Sequence, residues 1–173
     1  WDLSKAVNVA NKGEELDEYH YIEHPTYSAV QDYIKEAKQY ADKENSLIVA
    51  DIETSDSPNQ DESEYANIRD SEITCISFAF KEGHAITIPY HAGTHDSIQK
   101  LFDLPFTYLG WWNLDFDVPR LMSKGMTFKP KHIDGMLAEW KSLSDSKPEF
   151  YSCRDADATL RNINAIKKLI QTT

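Results

Sequence analysis

Hydrophobic and polar positions change period several times along the chain, and each change marks an element. Leu47-Ile48-Val49-Ala50-Asp51-Ile52-Glu53-Thr54 is apolar and rich in β-branched residues until it ends in two carboxylates, which predicts a strand buried on both faces. Strand side chains alternate, so Asp51 and Glu53 share one face while Ile52 takes the other. Two carboxylates then lie side by side where a hard cation could bridge them. Upstream, Val30, Tyr33, Ile34, Ala37 and Tyr40 recur at helical spacing with Thr26 or Ser28 placed to cap, which predicts one amphipathic helix in front of that strand. Downstream, Ile73 to Phe80 and His84 to Tyr90 are β-rich runs joined by Lys81-Glu82-Gly83, the pattern of a hairpin. With the first strand they make a meander of three strands.

The rest of the chain alternates. A polar stretch with Ser55, Asp56, Pro58, Asn59 and Asp61 reads as a long loop, and His91 to Ser97 as a second loop. Ile98 to Leu104 is expected as a short helix ended by Pro105, and Thr107 to Trp111 as a strand. Asp117 to Met126 follows as a helix with Pro119 in its first turn, where a missing N–H costs nothing. Ile133 to Leu143 reads as a further amphipathic helix, and a long terminal helix runs from about Glu149 to Ile170. Residues 1–25 are polar and weakly patterned, with only Tyr19 to Ile22 resembling a strand. They read as a lead-in or linker before a single domain spanning 26–173. The order predicts an α/β fold, a mixed sheet with a three-stranded meander and flanking helices.

Composition narrows this picture. With 173 residues, 40% hydrophobic and 12% aromatic, the chain can bury a sizeable core, which excludes disorder throughout. No apolar run approaches a membrane span and no signal peptide opens the chain, so a soluble cytoplasmic protein without a membrane partner is expected. Cys75 and Cys153 stand apart, without the spacing of a zinc site or a disulfide framework, and read as buried thiols. The opening Trp1 suggests an excised domain. A net charge of −11 argues against gripping duplex DNA with a broad basic face. It leaves room for a nuclease, because a site built of carboxylates is acidic and its metals meet the phosphate. The acidic stretches 14–23 and 56–72 read as solvated loops.

Two more stretches bear on chemistry. Asn113-Leu114-Asp115-Phe116-Asp117 lies where a strand gives way to a helix, and Tyr151-Ser152-Cys153-Arg154-Asp155 places Tyr151 and Asp155 one helical turn apart. Taken alone, Asp117 could be an N-cap and Tyr151 with Asp155 an ordinary helix pair. In chain order, however, Asp-x-Glu, Asn-x-x-x-Asp and Tyr-x-x-x-Asp resemble the three motifs of DEDD exonucleases of the Tyr type. More narrowly, the chain looks like the 3′-to-5′ proofreading exonuclease domain of family A DNA polymerases of bacteria and their phages. The likeness is carried by Val49 to Thr54, by Ile73 to Ala79 with Ala85 to Pro89, by Asn113 to Asp117, and by Tyr151 to Leu160, and covers roughly residues 45–165.

That resemblance implies a ribonuclease H-like fold, located in a bacterial or phage-infected cell. The implied activity is hydrolysis of the terminal phosphodiester of single-stranded DNA 3′ ends, releasing nucleoside 5′-monophosphates with two divalent ions, Mg²⁺ or Mn²⁺. The polymerase domain, in the same or a partner chain, would supply duplex binding. Asp51, Glu53 and Asp155 would share one ion; Asp51 would also hold the second, supported by Asp117 directly or through water. Such a cluster repels itself, so without metal some of its carboxyls should be partly protonated. Tyr151, a phenol with a pKa near ~10, would orient the attacking water rather than act as a base. Thr54 and Asn113 would hold the terminal nucleotide. Phe116 would either stack on a base or pack in the core.

Other candidates carry less. His20 with His24, and His91 with His95, share an i,i+4 spacing without a zinc pattern beside them. Trp111 and Trp112 read as core or rim aromatics, and Arg154, Arg161, Lys167 and Lys168 as a solvated helix face. Gly110-Trp111-Trp112-Asn113 replaces the family's frequent Gly-His-Asn, and Gly135 stands where Thr is frequent. Asp117 and Asp155 are closer than in the family, implying either a compact domain with a shallow strand groove or a sequence that lacks residues. Two rivals stay open: a ribonuclease D-like RNA 3′ exonuclease, and an inactive exonuclease fold serving as a binding or scaffold module. The four intact carboxylates count against the second.

Overall fold

The apolar run at the centre of the chain becomes the centre of a sheet. The computed structural model describes residues 19–55, 72–134, 156–161, 163 and 164. Its strands are β1 (His20–Ile22), β2 (Leu47–Thr54), β3 (Ile73–Lys81), β4 (His84–Pro89), β5 (Tyr108–Trp111) and β6 (Lys131–Asp134). Helices α1 (Tyr27–Ala41), α2 (His95–Phe102) and α3 (Leu114–Ser123) lie between them, and residues 156–161, 163 and 164 are also helical. All six strands form one sheet in the order β1-β4-β3-β2-β5-β6. β2, β3 and β4 are antiparallel neighbours, as the meander requires; β5 runs parallel to β2, β6 to β5, and β1 to β4.

The two faces of the sheet are covered differently. Ile48, Ala50 and Ile52 of β2, with Ile76, Phe78, Ile86 and Ile88 of its neighbours, belong to a large core shared with α1 and α2. α1 meets it along Val30, Tyr33, Ala37 and Ala41, is capped by Thr26, whose hydroxyl accepts from Ala29 N–H, and ties in through Tyr33 O–H donating to Phe78 O at 2.8 Å. On the opposite face the pairing puts Tyr21, Ala85, Ala79, Val49, Gly110 and Ile133 in one row across all six strands. Ala156, Leu160 and Ile163 of the terminal helical segment pack on this row and on Leu47. The alanines and the glycine under the segment allow its close approach.

Several boundaries differ from the expectations. α2 begins at His95 rather than Ile98, because the turn from His91 already closes helically: Thr94 and His95 N–H both donate to His91 O. α3 begins at Leu114 rather than Asp117, with Asn113 as its cap residue. Pro119 therefore sits inside the helix, where its ring removes the bond an N–H would have made one turn back. The expected helix from Ile133 opens instead as a strand, since Lys131–Asp134 pairs with Tyr108–Trp111. That edge is held by Trp111 Nε1 donating to His132 Nδ1 at 3.0 Å, and burial keeps His132 below its ordinary pKa and so in the neutral form that can accept. The rest of that expected helix, and the terminal helix apart from residues 156–161, 163 and 164, lie outside the described residues.

Gly110 is where the helix meets the sheet most closely. A Cβ there would stand 2.7 Å from Ile163 Cδ1, 2.9 Å from Val49 Cγ2 and 3.4 Å from Leu47 Cδ1. Val49 is fixed within a central strand, so the terminal segment must give way. Gly110→Ala is expected to cost ~1–3 kcal/mol in a urea melt, with hydrogen exchange accelerating in residues 156–164. Unchanged stability would show that this contact is not tight.

Candidate functional site

The carboxyl ends of β2 and β5 diverge at the middle of the sheet. β2 turns to β3 on one side, β5 leads to β6 on the other, and the pairing between them ends at Val49 with Gly110. Where adjacent parallel strands part in opposite directions, their carboxyl ends leave a crevice, the usual place for a ligand in an open α/β sheet. Beyond Val49, β2 carries Asp51 and Glu53, both half-buried, on the face that also holds the terminal helical segment. Asp51 lies opposite Ser77, which lies opposite Thr87; Glu53 lies opposite Cys75, which lies opposite Pro89. The step from Val49 to Asp51 thus exchanges an apolar row for a polar one. Ser77 and Thr87 are fully buried and share a hydroxyl hydrogen bond of 2.7 Å.

Asp117 reaches this end from α3. Its Oδ1 accepts from Ile52 N–H at 3.2 Å, so a carboxylate takes the β2 amide past the last β5 pair. Asp117 is 2% exposed, and burial raises its carboxyl to about 7. The Ile52 N–H and the Arg120 charge pull it back down, while the Glu53 charge adds to the rise. The expectation of partly protonated carboxyls holds for Asp117, though desolvation rather than mutual repulsion is the first cause. Arg120, itself buried, donates from Nη1 to Phe116 O at 2.8 Å, and its guanidinium lies 3.7 Å from the centre of the Phe116 ring.

The other expected site residues fall as follows. Thr54 sits at a bulge, where β2 shifts register against β3 after Glu53. Glu53 and Thr54 border a cavity of about 460 Å³, lined also by Glu23, His24, Thr74 and Thr87. Asn113 makes no side-chain cap bond, and its carbonyl accepts from Phe116 and Asp117 N–H at the start of α3. Phe116 packs against the large core with one ring face under Arg120. Trp111 is fully buried, and Cys75 is buried as well. Tyr151 and Asp155 lie outside the described residues, as do Cys153, Arg154, Lys167 and Lys168. Arg161 is not simply solvated: it pairs with Asp157 at 3.0 Å and with Glu82 at 3.5 Å.

Carboxylate oxygens are the donors that Mg²⁺ and Mn²⁺ prefer, so Asp51, Glu53 and Asp117 fit such ions in kind. Among the described residues no three acidic, His or Cys side chains converge closely enough to hold a metal. Sequence reasoning missed Arg120 and Asp157. The i,i+4 pairs Phe116 with Arg120 and Asp157 with Arg161 were the available signals.

The raised Asp117 pKa fixes the sign of a pH effect. An acid that titrates near 3.8 unfolded and about 7 folded binds more protons when folded, so its contribution is complete below 3.8 and is lost as pH climbs to about 7. In chelator, the wild type should lose stability across that window with a slope approaching ~1.4 kcal/mol per pH unit. Asp117→Asn, whose amide oxygen can still accept from Ile52 N–H, should remove this contribution and melt above the wild type at pH 8. Equal pH profiles in thermal melts would refute the assignment.

Comparison of the chain with known protein families and with curated proteins finds no match, so the function rests on the residues and their arrangement.

Proposed function

We propose that this chain is a metal-dependent 3′-to-5′ exonuclease of ribonuclease H-like fold that removes nucleotides from single-stranded DNA ends, as the exonuclease domain of a DNA polymerase does. The observation that carries the reading is that Asp117, from an element far off in the chain, accepts from Ile52 N–H and feels the Glu53 charge at the end of β2 where Asp51 and Glu53 share a face. The antiparallel meander followed by two parallel strands supports the fold. Ala156, the residue after Asp155, is buried with Val49 on the face that bears Asp51 and Glu53, which supports Asp155 as the further carboxylate.

Asp51, Glu53 and Asp155 would hold one divalent ion, and Asp51 with Asp117 the second. When bound, the ions supply an activated water and neutralise charge on the phosphate and the leaving 3′ oxygen. Asp117 must give up its proton to serve, so metal binding would release protons. Arg120 favours that ionised form. Thr54, at the wall of the cavity beside Glu53, would seat the terminal nucleotide with Asn113, and Tyr151 would orient the water through its phenol oxygen. The acidic chain, −11 overall, offers little for duplex DNA, so unpaired ends are the preferred substrate.

Release of 5′-mononucleotides from a 3′-labelled single-stranded DNA oligomer tests the proposal. Release should require Mg²⁺ or Mn²⁺, cease in chelator, and fall at least ~10³-fold in Asp51→Ala, since metal stabilisation of a phosphoryl transition state is worth several kcal/mol. Tyr151→Phe should slow release while leaving metal binding, read by calorimetry, intact. An RNA oligomer of the same sequence cleaved faster than the DNA would replace DNA by RNA as substrate. A wild type that neither cleaves nor binds divalent ions would leave a scaffold.

A further inference from the structure

The terminal helical segment has two working faces. Ala156, Leu160 and Ile163 meet the sheet, while Asp157, Arg161 and Asn164 turn to the β3–β4 hairpin. The sheet beneath combines small residues, Ala79, Ala85 and Gly110, which permit close approach, with Leu47 and Val49, against which the helix packs. Apolar packing is tolerant of small shifts, whereas directional bonds are not.

Asp157 supplies them. It is 2% exposed, and both its oxygens are used: Oδ1 accepts from Gly83 N–H at 2.8 Å, and Oδ2 accepts from Tyr21 O–H at 3.0 Å and from Arg161 Nε at 3.0 Å. Gly83, at φ +73°, shows its N–H at the tip of a turn that a side-chain-bearing residue would strain. Tyr21 comes from β1, at the far edge of the sheet. Arg161 reaches on to Glu82, as does Asn164 Nδ2 at 3.2 Å. Arg161 is on the same helical segment and only completes the carboxylate's partners; the two donors from other segments, Tyr21 and Gly83, fix the helix along and around its axis. A shift of one residue would break both bonds to other segments and leave a buried carboxyl with Arg161 alone.

We infer that Asp157 is a positioning residue for the catalytic site, fastening the helical segment to Tyr21 of β1 and Gly83 of the hairpin so that the segment keeps one register on the face bearing Asp51 and Glu53. This rests on the exonuclease reading above. Asp157 touches neither substrate nor metal; it acts through the helix whose sequence continues back, past Ala156, to Asp155. The strand β1 is thereby part of the site's support.

The test uses the full chain with Asp157→Asn and, in case a buried amide disrupts folding, Tyr21→Phe, which removes a single donor. Gln99→Ala, which breaks the Gln99–Thr127 contacts away from the site, is the control for stability loss alone. Both clasp variants should melt cooperatively, keep KM for the DNA oligomer, lower kcat ~10–100-fold and raise the half-saturating Mn²⁺ concentration, as loss of a supporting partner does. The control should lose stability with kcat and Mn²⁺ dependence unchanged. Clasp variants that match the control would overturn the inference while an active wild type upholds the exonuclease reading. An inert wild type would overturn that reading, and this inference with it.

Discussion

Two parallel strands at the centre of the sheet lead on to opposite sides, and the candidate site lies outside their carboxyl ends, where the two part. β2 and β5 part after Val49 and Gly110, which leaves backbone polar groups of β2 in need of partners at the middle of the molecule. Asp117 answers for Ile52, and in doing so a carboxyl that water would ionise is drawn into a dry place and held near neutrality at about 7. The same hydrogen bond thus ties α3 to the central strand and offsets part of what burial costs the charged carboxyl. Structure and chemistry meet in one contact.

The face on which this happens grades from apolar to polar along the strands. Its lower row, Tyr21 to Ile133, is small or apolar and lies under the terminal helical segment; the next, Asp51 with Ser77 and Thr87, is hydroxylic and acidic; the last holds Glu53. Such a gradient lets one helix be packed at one end and open to a ligand at the other. Fixing that helix by a buried carboxylate costs desolvation, which Tyr21, Gly83 and Arg161 together offset. Burial and the Asp157 charge also push the Tyr21 phenol pKa upward, so its proton stays available for donation.

What local pattern determines was legible. The central strand, the hairpin at Gly83 and the Thr26 cap follow from β-branched runs, a glycine at positive φ and a hydroxyl before a periodic stretch. The sharing of a face by Asp51 and Glu53 follows from alternation alone. What was missed depends on partners elsewhere. Ile133 and Asp134 fit a helical period, yet the open edge of β5 draws them into a strand. Asp117 reads as a helix start until Asn113 is seen to occupy that place. Arg161 looks solvated on its own helix because Glu82, which it meets, lies 79 positions away. Asp157 was invisible as a fastening for the same reason, its other partners lying in β1 and a distant turn.

That separation has a consequence for how the chain acquires its form. β2, β3 and β4 pair through connections within one stretch of sequence and can associate early, whereas Tyr21 and Asp157 are 136 positions apart. Closing so long a loop is entropically dear and is rewarded only once the surfaces it joins exist. A chain emerging from the ribosome would hold a nearly finished sheet whose helix-bearing face stays bare until residue 157 arrives. Leu47 and Val49 would face solvent beside the small alanines in that interval, an apolar face open to capture by other chains.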